Sequence, residues 1–128
     1  MNKTISLLIR IIIALVLLET LWFKFTAHPD SVYIFTKMGL EPFGRIGIGI
    51  SELIAAILLF TPKAIWAGAL LSIGLMAGAI ISHLTSLGIE INGDQGQLFY
   101  MAIGVFIFSL ITLYYQRKNI PVLRNYFE

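Results

Sequence analysis

The sequence predicts an all-α protein: a transmembrane four-helix bundle with both termini in the cytoplasm and a short amphipathic helix in the first outer loop. Two observations support this fold class. The chain is 58% hydrophobic and only 12% charged, with a mean hydropathy of +0.87, whereas soluble domains are about a quarter charged. Residues 64–89 and 95–116 contain no Asp, Glu, Lys or Arg, and each run exceeds the roughly 20 residues that cross a bilayer core.

We expect the four membrane-spanning helices at about residues 4–25, 44–60, 64–87 and 97–115, within a single integral-membrane domain over residues 1–128. The first two carry internal charges, so one face of each must be hidden from lipid. The N-terminal apolar run lacks a small-residue cleavage site, and we therefore interpret it as an uncleaved first helix.

The basic residues predict the orientation of the bundle. Those on the side that would hold both termini are Lys3, Lys63, Arg117, Lys118 and Arg124. The opposite loops hold Lys37, with Lys24 and Arg45 at their edges. The positive-inside rule therefore predicts cytoplasmic termini.

The first outer segment, residues 26–43, contains a short helical pattern. Asp30 after Pro29 is typical of a helix N-cap, and Gly39 is typical of a helix stop. We expect this helix to lie flat on the outer surface of the bundle. It could act as a lid over a pocket, or it could be a plain re-entrant linker.

Four ionisable residues are predicted in the outer half of the bilayer: Glu19, Arg45, Glu52 and His83. Arg45 and Glu52 are seven residues apart, which places them about 20° apart around a helix and roughly 10 Å apart along it. Because burial in a small bundle is least costly when such groups satisfy one another, we expect the four to converge in its interior, although Glu19 could instead be protonated. Lys24 lies roughly 140° around the helix from Glu19, and we interpret it as an interfacial anchor.

This polar group has two interpretations. It could be a buried salt-bridge network that fixes the register of the helices. Alternatively, it could line a polar pocket open to the outer face, where Glu52 or His83 carries a proton or orients a carbonyl or hydroxyl of a ligand. Glu52, Arg45, His83 and Glu19 are thus candidate ligand-binding or proton-carrying residues, and no catalytic residue is assigned.

Small residues predict helix packing at two places. Gly47 and Ser51 begin a small-residue stripe on the second helix, and Gly74 and Gly78 form a GxxxG pattern on the third. We expect both to be packing surfaces, and the second is a candidate homodimer interface.

The composition restricts the chemistry that the chain can perform. It contains no cysteine, which excludes a disulfide relay, iron–sulfur ligation and a thiol nucleophile within these residues. The loop around Glu90 and Asp94 lacks the spacing of a calcium-binding loop, so we expect no metal. No nucleic-acid partner is expected either. Redox chemistry would need a bound cofactor or a partner protein.

Several short motifs, taken in order, resemble the DoxX family of small four-helix membrane proteins. They are Arg10 in the first helix, MGLEP at residues 38–42, the Gly49-Ile-Ser-Glu52-Leu segment, LLFTPK at residues 58–63 and MAGAIISHLT at residues 76–85. The resemblance covers almost the whole chain. It marks Glu52, and also Arg10 and His83, as family-motif positions.

The resemblance implies a multi-pass protein of the bacterial inner membrane, related to subunits of quinone-linked sulfur oxidation and of membrane oxidoreductase complexes. Distant eukaryotic relatives act instead as assembly factors. Two functions therefore stay open. The protein could be a redox-associated subunit that binds a quinone-like or other lipophilic molecule and works with a membrane or peripheral redox partner. It could otherwise be a non-catalytic assembly or scaffold factor.

Overall fold

The structure is a computed structural model that describes residues 1–121. Within them every regular element is helical, which confirms the all-α class. The elements are α1 (Lys3–Phe25), α2 (Pro29–Lys37), α3 (Phe43–Leu58), α4 (Ile65–Ser82) with a π-helical extension (His83–Leu87), α5 (Gln97–Tyr115) and a short 3₁₀ turn (Arg117–Asn119). Arg124, used above for orientation, lies outside the described residues.

Four of the helices pack as a closed ring in which α1 contacts α3 and α5, and α4 contacts the same two helices. Helices α1, α4 and α5 each contribute two residues to the core, and α3 contributes one together with its C-cap Leu59. The core residues are Ile13, Leu17, Ala55, Leu59, Ala69, Met76, Ala102 and Val105. A buried hydrogen bond also joins α5 to α4, because Ser109 Oγ donates to Ser72 Oγ over 2.8 Å. The short helix α2 packs across one end of this ring, against α1, α3 and the π-helical extension.

Local sequence signals explain the ends of α2 only in part. The expectation that Asp30 caps it was wrong: the cap is His28, whose Nδ1 accepts a hydrogen bond from the Asp30 amide at 3.1 Å, and Pro29 takes the first helical position. The stop at Gly39 is as expected. Gly39 has a φ of 73°, and the amide of Leu40 donates to the Phe35 carbonyl at 2.8 Å, the arrangement of a Schellman motif.

Three helices are long and apolar enough to cross a membrane: Lys3–Phe25, Ile65–Leu87 and Gln97–Tyr115. The fourth member of the ring, α3, has 16 residues and is therefore roughly 24 Å long at 1.5 Å per residue. It ends at Leu58 rather than near residue 60. Four spans and cytoplasmic termini thus stay predictions, whereas several membrane-length apolar helices are established.

The closest helix approaches involve glycines other than the ones predicted. A Cβ added at Gly68 would lie 2.8 Å from the Leu59 backbone nitrogen, and one added at Gly49 would lie 2.6 Å from the Phe25 ring. Among residues 1–121, nothing lies within 4 Å of a Cβ added at Gly47, Gly74 or Gly78. Within this part of the chain, these three glycines therefore do not form close helix contacts. Ser51, also predicted to pack, donates to the Gly47 carbonyl on its own helix at 3.0 Å.

Candidate functional site

Glu52 is the most deeply buried charged residue of the ring, with its side chain 1% exposed. Its partner is Lys24 near the end of α1: Lys24 Nζ lies 2.7 Å from Glu52 Oε1. The second carboxylate oxygen, Oε2, accepts a hydrogen bond from Thr20 Oγ1. Thr20 and Lys24 are four residues apart and continue the helix face that buries Leu17. One face of α1 therefore holds the carboxylate of α3 with a charge and a hydroxyl.

Arg45 does not join this group, although the sequence places it on the face of Glu52. Its Nε lies 2.9 Å from both carboxylate oxygens of Glu41, and its Nη2 lies 2.9 Å from Glu41 Oε1. Its Nη1 donates to the Lys24 carbonyl. The expected meeting of Arg45 with Glu52 was wrong because a carboxylate four residues earlier on the chain takes up the guanidinium. Arg45 therefore ties the start of α3 to the end of α1.

Glu19 also lies elsewhere. It is exposed, whereas Leu17, two residues before it, is fully buried. Two residues correspond to about 200° around a helix, so Glu19 and Leu17 point in nearly opposite directions. The expectation that Glu19 faces the bundle interior was therefore wrong.

His83 is buried, with 5% exposure, where α4 passes into its π-helical extension. Its Nδ1 lies 2.8 Å from the Gly88 carbonyl oxygen. Since a carbonyl only accepts, Nδ1 carries a hydrogen and Nε2 is the nitrogen that can exchange a proton. The ring also packs against the Phe99 ring in a T-shaped arrangement, with 5.5 Å between ring centroids. This geometry fixes both the tautomer and the orientation of the imidazole.

Asp94 organises the loop that follows. Its carboxylate accepts hydrogen bonds from the amides of Ile91, Gly96 and Leu98 at 2.9, 2.8 and 3.3 Å. Desolvation by burial raises the pKa of Asp94, but these three amides, with a smaller coulombic contribution from His83 when its ring is protonated, outweigh it and hold the pKa below its ordinary value. The carboxylate thus serves as a turn-forming acceptor.

A second contact ties this loop to α2. Asn92 Nδ2 donates to Asp30 Oδ1 at 2.8 Å. The loop and α2 therefore form a linked cover at the end of the bundle where Lys24, Arg45 and His83 lie.

A cavity of about 260 Å³ lies beneath this cover and brings Glu52, Lys24, Thr20 and His83 into one lining. The rest of the lining is mostly apolar and comes from all five α-helices. Examples are Val16, Ile34, Phe35, Ile48, Leu75 and Met101. Since α2 contributes one wall, it is more than a plain linker.

Two buried polar atoms in this lining are not satisfied by hydrogen bonds within the described part of the chain. Ser31 on α2 is fully buried, and its Oγ has no partner there. Glu52 Oε1 has its ion-pair contact with Lys24 but is not aligned for a hydrogen bond. A buried hydroxyl such as that of Ser31 ordinarily has a partner, so the cavity offers a donor–acceptor hydroxyl to a molecule inside it, beside a carboxylate that is already ion-paired.

The sequence comparison agrees with the fold. A sequence model of the DoxX family matches residues 5–85, which is well over half of the 128 residues. The chain belongs to the DoxX family. No curated protein and no solved structure matches it.

The DoxX match covers the cavity's charged residues but not all of its walls. It includes Lys24, Glu52 and His83 and ends before α5 begins. Arg10, another family-motif position, lies away from them: its Nη1 donates to the Leu59 carbonyl at 2.8 Å. In this DoxX protein Arg10 therefore caps the end of α3.

Sequence reasoning missed three residues of the site: Thr20, Lys24 and Ser31. The four-residue spacing of Thr20 and Lys24 puts both on one helix face, and this signal could have been used. Nothing local indicates that this face meets Glu52, which is distant in the chain. Among the described residues no cluster of three or more His, Cys, Asp or Glu side chains could hold a metal ion.

Proposed function

We propose that this DoxX protein binds a lipophilic molecule with a compact polar head, of the quinone class, in the cavity beside Glu52, and that it serves as a redox-associated membrane subunit. One feature supports this most directly: Ser31 Oγ is buried, lacks a hydrogen-bond partner among the described residues, and lines the same apolar cavity as the Glu52–Lys24 ion pair. Ligand sites are typically apolar spaces with a few such polar groups.

The residues present fit a quinone head in both of its redox forms. The Ser31 hydroxyl and the Lys24 ammonium can donate to a carbonyl oxygen, and the Glu52 carboxylate can accept from a hydroxyl. A bound quinone would supply reversible storage of electrons and protons in a lipid-soluble molecule. Glu52 is the group that would hold or pass the proton.

Two side chains of α1 hold the Glu52 carboxylate in place. Thr20 donates a hydrogen bond to its Oε2, and the Lys24 ammonium pairs with its Oε1 and offsets the negative charge. His83 lies in the same lining, with Nδ1 fixed by the Gly88 carbonyl, so its Nε2 is the second group able to exchange a proton. The chain contains no cysteine, and we therefore assign the electron donor or acceptor to a membrane or peripheral partner protein.

We further propose four spans, with α3 as the short one, cytoplasmic termini and a location in the bacterial inner membrane. The excess of Lys and Arg on the side of the termini supports this orientation. The cavity and its α2 cover would then lie in the outer half of the bilayer.

The test is a binding titration of protein purified in mild detergent with dimethoxymethylbenzoquinone, the ubiquinone head without its chain, and with the corresponding quinol. Glu52→Gln should weaken quinol binding roughly tenfold or more, because a hydrogen bond to a charged group contributes about 1.5–3 kcal/mol. Ser31→Ala should weaken quinone binding several-fold, since a neutral hydrogen bond contributes about 0.5–1.5 kcal/mol. Glu19→Gln is the matched control, because Glu19 is an exposed carboxylate on α1.

Three outcomes would contradict the proposal: no binding to the wild type, unchanged quinol binding by Glu52→Gln, or equal losses in Glu52→Gln and Glu19→Gln. If the wild type binds neither form and one membrane protein co-purifies with it in a fixed ratio, the function is that of an assembly or scaffold factor. The buried charges would then serve to fix helix register.

A further inference from the structure

The cavity wall contributed by α4 contains two glycines beside which the described residues leave open space. Gly74 and Gly78 both line the cavity, both are exposed, and a Cβ added at either would meet no atom within 4 Å. Elsewhere along α4, Gly68 is in tight contact with the α3 backbone. The two helices are thus closely packed near their connecting turn and leave an open space farther along.

The positions of the glycines around α4 indicate which side is open. Relative to Gly68, which contacts α3, Ser72 lies about 40° to one side and bonds to α5. Gly78 lies about 80° to the opposite side and Gly74 about 120°. The glycines therefore face away from α5 and lie on the flank of α4 beyond its contact with α3, whose Ile48 and Glu52 line the same cavity.

The depth of the opening determines what can pass through it. The membrane-length segment containing α4 begins at Ile65, and Gly74 and Gly78 lie roughly 14 and 20 Å along it at 1.5 Å per residue. The hydrocarbon core is about 30 Å thick. Both glycines therefore lie well inside this segment, at a depth where a bilayer presents acyl chains rather than water.

The size of the cavity gives a second constraint. At about 260 Å³ it is smaller than the roughly 300–1,000 Å³ that encloses a drug-sized ligand. It can take a ring-sized polar head, but a long hydrocarbon chain attached to that head must extend outside. The gap beside the two glycines leads from the cavity to the depth of the acyl chains, so it offers such a chain an apolar path.

From these observations we infer that the gap between α3 and α4 at Gly74 and Gly78 is a lateral portal to the bilayer, and that the natural ligand is a long-chain amphiphile. The head of this ligand occupies the cavity beside Glu52, and its hydrocarbon chain extends through the portal into the lipid. A bulky side chain at either position would narrow the gap, because the space beside both glycines is open among the described residues. This inference rests on the proposed function, since it concerns the ligand of the same cavity.

The test compares two probes that share one head group: dimethoxymethylbenzoquinone, which has no chain, and decylubiquinone, which has one. The variant is Gly74→Leu/Gly78→Leu, and the control is Gly104→Leu on α5, where an added Cβ also meets open space. Leucine has a higher helix propensity than glycine, so these substitutions leave the helices stable. Filling the portal should weaken decylubiquinone binding about tenfold or more, while the chainless probe binds as to the wild type.

The outcomes separate the portal from the proposed function. The portal is supported if the double variant loses decylubiquinone but still binds the chainless probe, and if Gly104→Leu binds both probes normally. If the double variant binds both probes as the wild type does, the portal is overturned and the proposed function is left intact. If it loses both probes equally, the portal is also overturned, because the glycines would then belong to the part of the cavity that holds the head group. A dimeric wild type that becomes monomeric in the double variant, with both probes still bound, also overturns it, since a second copy would then cover this face. Failure of the wild type to bind either probe refutes the proposed function itself.

Discussion

Removing the positive charge beside Glu52 should have a larger effect on stability than any other single change of a lysine in the described chain. In the variant Lys24→Met the methionine keeps most of the side-chain length, but the carboxylate loses the ammonium group 2.7 Å away. Glu52 is 1% exposed and Lys24 is 13% exposed. The pair is therefore shielded from water on both sides, and the carboxylate has no solvent to replace the lost partner.

The expected magnitude follows from this burial. Breaking a buried ion pair by removing one partner costs about 3–5 kcal/mol, whereas an exposed pair contributes about 0.2–1 kcal/mol. Because Lys24 retains some exposure, we expect a loss near 3 kcal/mol, the lower end of that range. The double variant Lys24→Met/Glu52→Gln removes both charges and should recover much of the loss.

The assay is reversible unfolding in mixed micelles, titrated with a denaturing detergent and followed by helical circular dichroism, on both single variants and the double variant. Lys3→Met is the matched control, because Lys3 is exposed at the start of α1 and its replacement should be nearly neutral. A loss below about 1 kcal/mol in Lys24→Met would show that the pair behaves as an exposed one. The interpretation of Lys24 as the partner of Glu52 would then be refuted.

Three further predictions concern the frame around the cavity. Gly68→Ala should destabilise the protein by about 1–3 kcal/mol through overpacking, since the added Cβ would lie 2.8 Å from the backbone nitrogen of Leu59 at the end of α3. The control is Gly104→Ala, which has open space around it and should be neutral or stabilising in the same unfolding assay. Ser109→Ala should lower the free energy of unfolding by about 0.5–2 kcal/mol, because it removes an interhelical hydrogen bond and leaves the buried Ser72 hydroxyl without this partner. The double variant Ser72→Ala/Ser109→Ala should recover part of that loss. The pKa of Asp94 is held below its ordinary value of 3.8, so its contribution to stability is present above that pH and is lost as the pH falls through the lowered pKa. Thermal unfolding from neutral to acidic pH should therefore show a smaller acid-induced loss in Asp94→Asn than in the wild type.

Properties that depend on one segment of chain were predictable from the sequence. The long charge-free runs correspond to α4 with its extension and to α5, and the Gly39 stop follows from the need for a positive φ after α2. Glu52 and His83 were identified because ionisable groups in apolar helices are costly unless they are buried with partners. Both are buried in the structure.

Pairings between helices were not predictable in the same way. The sequence places Arg45 and Glu52 on one face of α3, but it does not reveal that α1 presents Lys24 to that face. The competing Glu41–Arg45 contact was visible as a four-residue spacing, and it explains why the guanidinium is unavailable to Glu52. Glu19 was assigned to the interior from its depth alone, whereas its position opposite Leu17 on the helix places it outside.

The small-residue patterns illustrate a related limit. A GxxxG pattern is typical of close helix packing, but the absence of a side chain serves equally well to keep a space open. Gly68 has the first role and Gly74 the second. Only the position of the neighbouring helix distinguishes them.

The most direct test of a lipophilic ligand beside Glu52 is to identify what co-purifies with the protein. Wild type, Glu52→Gln and Glu19→Gln would be purified in mild detergent from the native host, examined by ultraviolet–visible spectroscopy before and after reduction, and extracted for mass spectrometry. We predict a stoichiometric quinone-class molecule in the wild type and in Glu19→Gln, and its loss from folded Glu52→Gln. Bulk lipid alone in the wild type, or the same molecule at the same ratio in Glu52→Gln, would contradict the account.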